Sequence, residues 1–289
     1  MPQYRTDDGV SIHYQVDQHR DPWLDDEPET VLLHHGFIRN MAWWEGWVPS
    51  LSRGYRVVRL DVRGCGASSV PPDEADFSAR RLMQDARGLL DHLQIERVHF
   101  IGHLSGALVG QLLAVAHPAR VASLALVAGP AVVNRQIRET YALGESDSLA
   151  SMKRYGLEEW LHRTNVARFD PATAPHIVAW HLREQAKTPF HVAYRLHEAF
   201  RAIDMRADLS RIDAPVLMIA PSDAPGVPPG DIAEMKRRMP QARVVRVEGR
   251  GSDMIFTRAQ TCIAETLAFL ASLGDGERSS ASEPIAPGA

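Results

Sequence analysis

The chain has 289 residues, a formal charge of −4, 45% hydrophobic residues and 24% charged residues. That length suits one large core with an inserted subdomain, and no apolar run approaches the roughly 20 residues that span a bilayer, so no membrane partner is expected. The basic residues are dispersed, which argues against nucleic acid as a partner. The first eight residues, Met1 to Asp8, lack the basic and apolar regions of a secretory signal, and two cysteines give no disulfide framework. The chain is therefore expected to be cytoplasmic, with Cys65 and Cys262 as small packing residues.

In chain order, Tyr4-Arg5 and Val10 to Tyr14 read as a hairpin, because the Asp8-Gly9 pair between them tolerates the positive φ of a tight turn. Short apolar strands then recur at Val31–Leu33, Tyr55–Leu60, Val98–Ile101, Val121–Val127, Val216–Ala220 and Val244–Val247. Helical segments separate them, so the expected class is α/β with a mostly parallel sheet covered on both faces. After Ser78, a helix N-cap by its chemistry, Leu82, Met83, Ala86, Leu89, Leu90 and Leu93 fall on one helical face. Further helices are expected over Leu108–Ala116, Pro229–Met239 and Arg258–Leu270.

The segment between Val127 and Val216 is far longer than a crossover helix requires. Its apolar residues, among them Trp160, Leu161, Trp180 and Phe200, fall at mostly helical spacings, which predicts a helical lid over 130–205. The remaining 1–129 and 206–273 would form the core. The Ser-, Gly- and Pro-rich 274–289 reads as a disordered tail. A lid above the carboxyl ends of the strands would close a pocket where open α/β sheets place ligands.

The strand Val98–Ile101 runs into Gly102-His103-Leu104-Ser105-Gly106 and then into a helix. This is the strand–turn–helix setting of a G-x-S-x-G nucleophile elbow, whose sharp turn calls for small flanking residues such as Gly102 and Gly106. With His34-His35-Gly36-Phe37, Asp61-Val62-Arg63-Gly64-Cys65-Gly66-Ala67-Ser68 and the segment Pro215 to Pro229, the chain resembles the α/β-hydrolase superfamily, in particular its esterase and 3-oxoadipate enol-lactonase-like branch. The resemblance covers about residues 3 to 270. It implies the α/β-hydrolase fold with a helical lid, a small carbonyl-containing substrate or ligand, and no cofactor or metal.

In that family a serine attacks a carbonyl, a histidine takes its proton, an acid orients the histidine and two backbone N–H groups hold the oxyanion. The resemblance puts Leu104 in the nucleophile slot, Asp223 in the acid slot and the amides of Phe37 and Ser105 in the oxyanion hole. The histidine belongs in the turn Gly249-Arg250-Gly251-Ser252-Asp253-Met254, where Ser252 stands instead. The last histidine in the chain is His197, so no shift of register restores it. The two residues that carry the covalent and proton-transfer chemistry are both replaced.

Ser105 is a weak candidate for the nucleophile, because a helix rotates about 100° per residue and its side chain should turn away from where Leu104 points. His34 and His35 face opposite ways on a strand end and have no third ligand at a metal-site spacing, so they read as structural, with His35 the one expected to line the pocket. His103, beside the elbow, is expected to support the turn and to line the pocket. The lid histidines His162, His176, His181, His191 and His197 read as a solvated face, although one of them could serve as a relocated base. Gly64-Cys65-Gly66 lacks the third glycine and the helix start of a dinucleotide fingerprint. Asp223, and Asp253 beside the vacated histidine slot, remain as carboxylates available to a pocket.

Three readings stay open. The first is an enzyme of lyase, decarboxylase, isomerase or cyclase type that dispenses with a serine acyl-enzyme. The second is a catalytically inactive homologue that binds a small ligand. The third is an esterase or lactonase with relocated catalytic residues. One fold hosts many reactions and cannot choose among them, and the sequence carries no signal for oligomeric state.

Overall fold

The computed structural model describes residues 2–25, 27–224, 226–250 and 253–280. β1 (Gln3–Arg5) and β2 (Ser11–Asp17) pair antiparallel, Gln3 opposite His13, around a turn in which Gly9 has φ +83°. The expected hairpin is present. β3 (Thr30–His34) leads through the single-turn helix α1 (Val48–Leu51) to β4 (Arg56–Leu60), which is antiparallel to β2 and parallel to β3. α2 (Ala79–His92) starts where Ser78 Oγ accepts the amide of Arg81 at 3.2 Å, as its N-cap chemistry requires. β5 (Val98–His103), α3 (Ser105–Ala116) and β6 (Val121–Val127) follow.

Between β6 and the next strand come α4 (Arg135–Ala142), α5 (Ser148–Tyr155), α6 (Leu157–Thr164), α7 (Pro175–Ala186) and α8 (Phe190–Ala202). The two ends of this insertion are tied together, Val132 bridging Asp204 and the Met205 amide donating to the Ala131 carbonyl at 2.8 Å. A five-helix excursion thus leaves and re-enters the core at one place. β7 (Val216–Asp223), α9 (Pro229–Arg238), β8 (Arg243–Arg250), the single-turn α10 (Met254–Thr257) and α11 (Ala259–Ser280) complete the chain.

The strands form one eight-stranded sheet in the order β1-β2-β4-β3-β5-β6-β7-β8, parallel from β4 to β8. Side chains alternate across it with period two. Leu32 packs with Phe100, Leu108 and Leu89, whereas Val31 and Leu33 pack on the other face with Trp43, Trp44, Trp47 and the α11 residues Cys262, Ile263 and Phe269. Both faces are buried, which is why these strands read as continuous apolar runs rather than alternating ones. Each Val or Leu fully buried this way contributes about 1.5–3 kcal/mol before entropy is counted.

One expectation is corrected. α11 does not stop at Leu270; residues 274–280, assigned to a disordered tail, are helical, and 281–289 lie outside the described residues. The composition of 274–280 is polar, yet it holds no proline, so the backbone ladder continues past the end of the apolar face. Among the described residues no helix is long and apolar enough to cross a membrane.

Candidate functional site

The elbow sits between β5 and α3. Leu104 has φ +51° and ψ −120°, a combination sparsely populated by any side-chain-bearing residue, and its amide donates to the Val127 carbonyl at 3.0 Å. The flanking glycines are obligatory. A Cβ on Gly102 would lie 2.6 Å from the Ala107 backbone nitrogen, and one on Gly106 would lie 2.5 Å from the carbonyl oxygens of His34 and His35. Backbone strain of this kind costs about 1–3 kcal/mol and persists only where surrounding structure imposes it.

Leu104 and Ser105 open onto a cavity of about 130 Å³. The core side contributes Phe37, Arg39, Leu108, Ala128, Pro130, Ala224, Gly226 and Val227. The insertion contributes Val133, Ile137, Tyr141, Ala167, Arg168, Gln185, His197, Phe200 and Arg201. The tip of the elbow therefore presents a hydrocarbon side chain to the cavity.

Ser105 does not turn away. Its hydroxyl oxygen accepts the Phe37 amide at 2.7 Å, and the residue lines the cavity. The rotation of 100° per residue assumes helical dihedrals on both sides, whereas α3 begins at Ser105 and Leu104 before it is left-handed; the helical wheel does not extend across that junction. Of the two expected oxyanion donors, the Phe37 amide is thus engaged by a side chain of the elbow itself.

His35 and His103 are buried and neither is among the lining residues, contrary to expectation. His35 Nδ1–H donates to the Gly36 carbonyl at 2.8 Å and Nε2 accepts the Val62 amide at 2.9 Å, which fixes one neutral tautomer. Burial, foremost, pushes its pKa down. The ring braces the loop that carries Phe37. His34 stacks on Phe100 at 5.7 Å, and burial pushes it down to about 3. His103 packs edge-on against Trp44, with ring centroids 6.1 Å apart.

Asp223 ends β7 in register with Arg250, is exposed, and is not among the lining residues. Ser252 lies outside the described residues. Asp253 is 1% exposed and accepts from Thr173 Oγ at 2.5 Å; burial raises its pKa, and its Oδ1 has no hydrogen-bond partner among the described residues.

Of the insertion histidines, His162 and His176 are exposed as expected, and His191 bonds the Pro71 carbonyl at 3.0 Å. His181 and His197 are buried instead. His181 Nδ1 accepts from Trp43 Nε1 at 3.2 Å, and its pKa is driven down by burial and then by the positive charge of Arg39 and Arg168. His197 contacts the Phe37 ring at 5.2 Å, shares a 2.7 Å hydrogen bond with Ser148 Oγ, and is pushed down to about 3 by burial and neighbouring arginines.

The sequence reading missed the arginines. Arg39, five residues past the start of the His34-His35-Gly36 loop, is 3% exposed and lies on the cavity wall. Its pKa is lowered to about 9, first by burial and then by the Arg168 cation. Arg168 is 4% exposed, donates to the Leu161 carbonyl at 3.3 Å, and lies over the rings of Tyr141 at 4.8 Å and Trp160 at 5.0 Å. Helical periodicity registers apolar positions, so a lone arginine turned inward from the insertion leaves no trace in it.

The Asp61-to-Ser68 segment is structural. The Asp61 carboxylate accepts the amides of Met41 and Ala67 at 2.7 and 2.9 Å, and Arg63 forms a two-point pair with buried Asp85 at 2.6 and 2.8 Å.

A family model described as alpha/beta hydrolase fold matches residues 29–153, and one described as TAP-like protein matches residues 201–278. A protein provisionally named carbamate hydrolase RutD from Pseudomonas syringae pv. syringae is 29% identical over 225 residues, 77% of this chain and 86% of that protein. Fluoroacetate dehalogenase from a Burkholderia species is 42% identical over 100 residues, a match that spans 33% of its length. Among solved structures, the enol-lactonase of Burkholderia xenovorans LB400 superposes with a TM-score of 0.78 at 22% identity, covering 93% of this chain and all of that one. A hydrolase from Pseudomonas aeruginosa PA01 gives 0.75 at 27% identity, covering 93% and 97%. Sheet order, elbow geometry and family matches agree: the chain belongs to the α/β-hydrolase superfamily.

Proposed function

We propose that the chain takes up a small carbonyl compound in the cavity beneath α4–α8, which act as its lid, and that it does not process that compound through a serine acyl-enzyme. The observation that carries this reading is Leu104, held at φ +51° on the cavity wall with neither lone pair nor proton to offer. The relatives' names, a carbamate hydrolase and an enol-lactonase, support a carbonyl compound as the ligand class. Recognition without turnover is favoured over a serine-free enzyme, because Asp223, the carboxylate such an enzyme would use, is exposed and off the cavity wall.

A second reading, hydrolysis with relocated residues, draws on Ser105 and His197, which both border Phe37. It is the weaker of the two. A histidine held at about 3 is a poor base for a serine hydroxyl near neutral pH, since efficient proton transfer needs a pKa near the working pH.

The test combines p-nitrophenyl butyrate turnover with a thermal-shift screen of small ketones, lactones and carboxylates on the full chain. Ligand-dependent stabilisation with no ester turnover supports recognition. Turnover abolished by Ser105→Ala supports the second reading instead.

A further inference from the structure

We infer that Gln185 of the insertion helix α7 recognises the ligand's carbonyl: its side-chain N–H group donates to the ligand oxygen, and Trp43 and His181 hold the amide in that orientation. The inference rests on the proposed reading that the cavity takes up a small carbonyl compound, and it adds the group that selects that compound.

The orientation is set from Trp43 outward. An indole N–H can only donate, so its 3.2 Å contact makes His181 Nδ1 the acceptor. His181 is fully buried, and burial followed by the charges of Arg39 and Arg168 keeps the ring neutral, so its one proton sits on Nε2. Gln185 stands four residues on, one turn along α7, where side chains are neighbours. Its side chain acts on His181 in the sense of a hydrogen-bond acceptor, favouring the protonated ring. The Gln185 carbonyl oxygen therefore faces the His181 Nε2–H. Neither atom has a hydrogen bond of full geometry among the described residues, so this contact has room to tighten.

With its oxygen turned to His181, the amide directs its two N–H bonds away from the ring, since the network decides which end of a glutamine faces which side. Gln185 is 1% exposed and lines the cavity, so these donors open onto the cavity rather than onto bulk water. No Asp or Glu is among the described lining residues to accept them. Leu104, Leu108, Ile137, Phe200 and Val227 make much of the remaining wall hydrocarbon, which suits a ligand with one acceptor oxygen on an apolar body. A ligand oxygen that takes a Gln185 N–H polarises the amide, and its carbonyl becomes a stronger acceptor for His181.

The test is calorimetric titration of the full chain with 4-methylpentan-2-one and with 2,4-dimethylpent-1-ene, the same skeleton with a methylene in place of the oxygen, repeated on Gln185→Leu. The parent should bind the ketone about tenfold tighter than the alkene, the worth of one hydrogen bond, and Gln185→Leu should bind the two alike. In nitrogen-15 spectra of the parent, His181 should carry its proton on Nε2, and that N–H signal should move downfield with the ketone and not with the alkene. Equal affinity of the parent for both probes, or a ketone preference kept in Gln185→Leu, overturns the inference while leaving a ligand cavity. A His181 proton on Nδ1, or an Nε2–H signal unmoved by bound ketone, overturns it on the parent alone. Binding of neither probe overturns the ligand-site reading and the inference with it.

Discussion

The Phe37 amide donates to the Ser105 hydroxyl at 2.7 Å, so a side chain of the elbow engages the amide that the family resemblance assigns to an oxyanion hole. Ser105→Ala removes that acceptor and leaves the amide for a ligand oxygen. Stability should fall by about 0.5–1.5 kcal/mol, the net worth of one such hydrogen bond, as read by denaturant unfolding. Affinity for a neutral ketone probe should rise severalfold, as read by titration.

Restoring one slot should not restore chemistry. Leu104→Ser is expected to leave p-nitrophenyl butyrate turnover at background, because a serine without its base is a weak nucleophile and members of a triad act as a unit. The pair Leu104→Ser and Ser252→His should exceed Leu104→Ser by about 100-fold, the lower end of what a positioned base contributes.

Arg39 makes stability pH-dependent. Buried beside Arg168, Tyr141 and Asp253, it holds its proton only up to about pH 9 in the free protein. The folded pKa is depressed, so above pH 9 the unfolded chain binds more protons and this residue's contribution to stability rises with pH. Comparing melting curves of the parent with Arg39→Met across pH 7–10 isolates the effect.

Much of this was legible in the sequence, and what was not has physical causes. Val31, Leu32 and Leu33 announce a strand buried on two faces, and Gly102 and Gly106 announce a turn too tight for a Cβ. Leu104 needs only the elbow's register to be found. His35 misled because its loop position is right while its ring bonds back onto Gly36 and Val62. Ser105 misled because one left-handed residue breaks the helical wheel. Arg39 and Arg168 meet only through tertiary packing of the insertion on the core, which no local pattern encodes.

The Arg63–Asp85 pair carries part of the fold. Asp85 also receives Arg81 Nε at 3.0 Å, and all three residues are buried. Asp85→Asn should cost about 3 kcal/mol, because one partner of a buried pair is removed while the other stays charged. Arg63 keeps Asp8 at 2.9 Å, which holds the loss to that level; denaturant unfolding reads it.

The most direct test of a site without a serine nucleophile is intact-mass spectrometry of the full chain after exposure to a fluorophosphonate probe. No adduct is expected, with Leu104 inert, Ser105 held against the Phe37 amide and His197 a poor base. A stoichiometric adduct mapped to Ser105 would contradict the account and identify a relocated serine hydrolase.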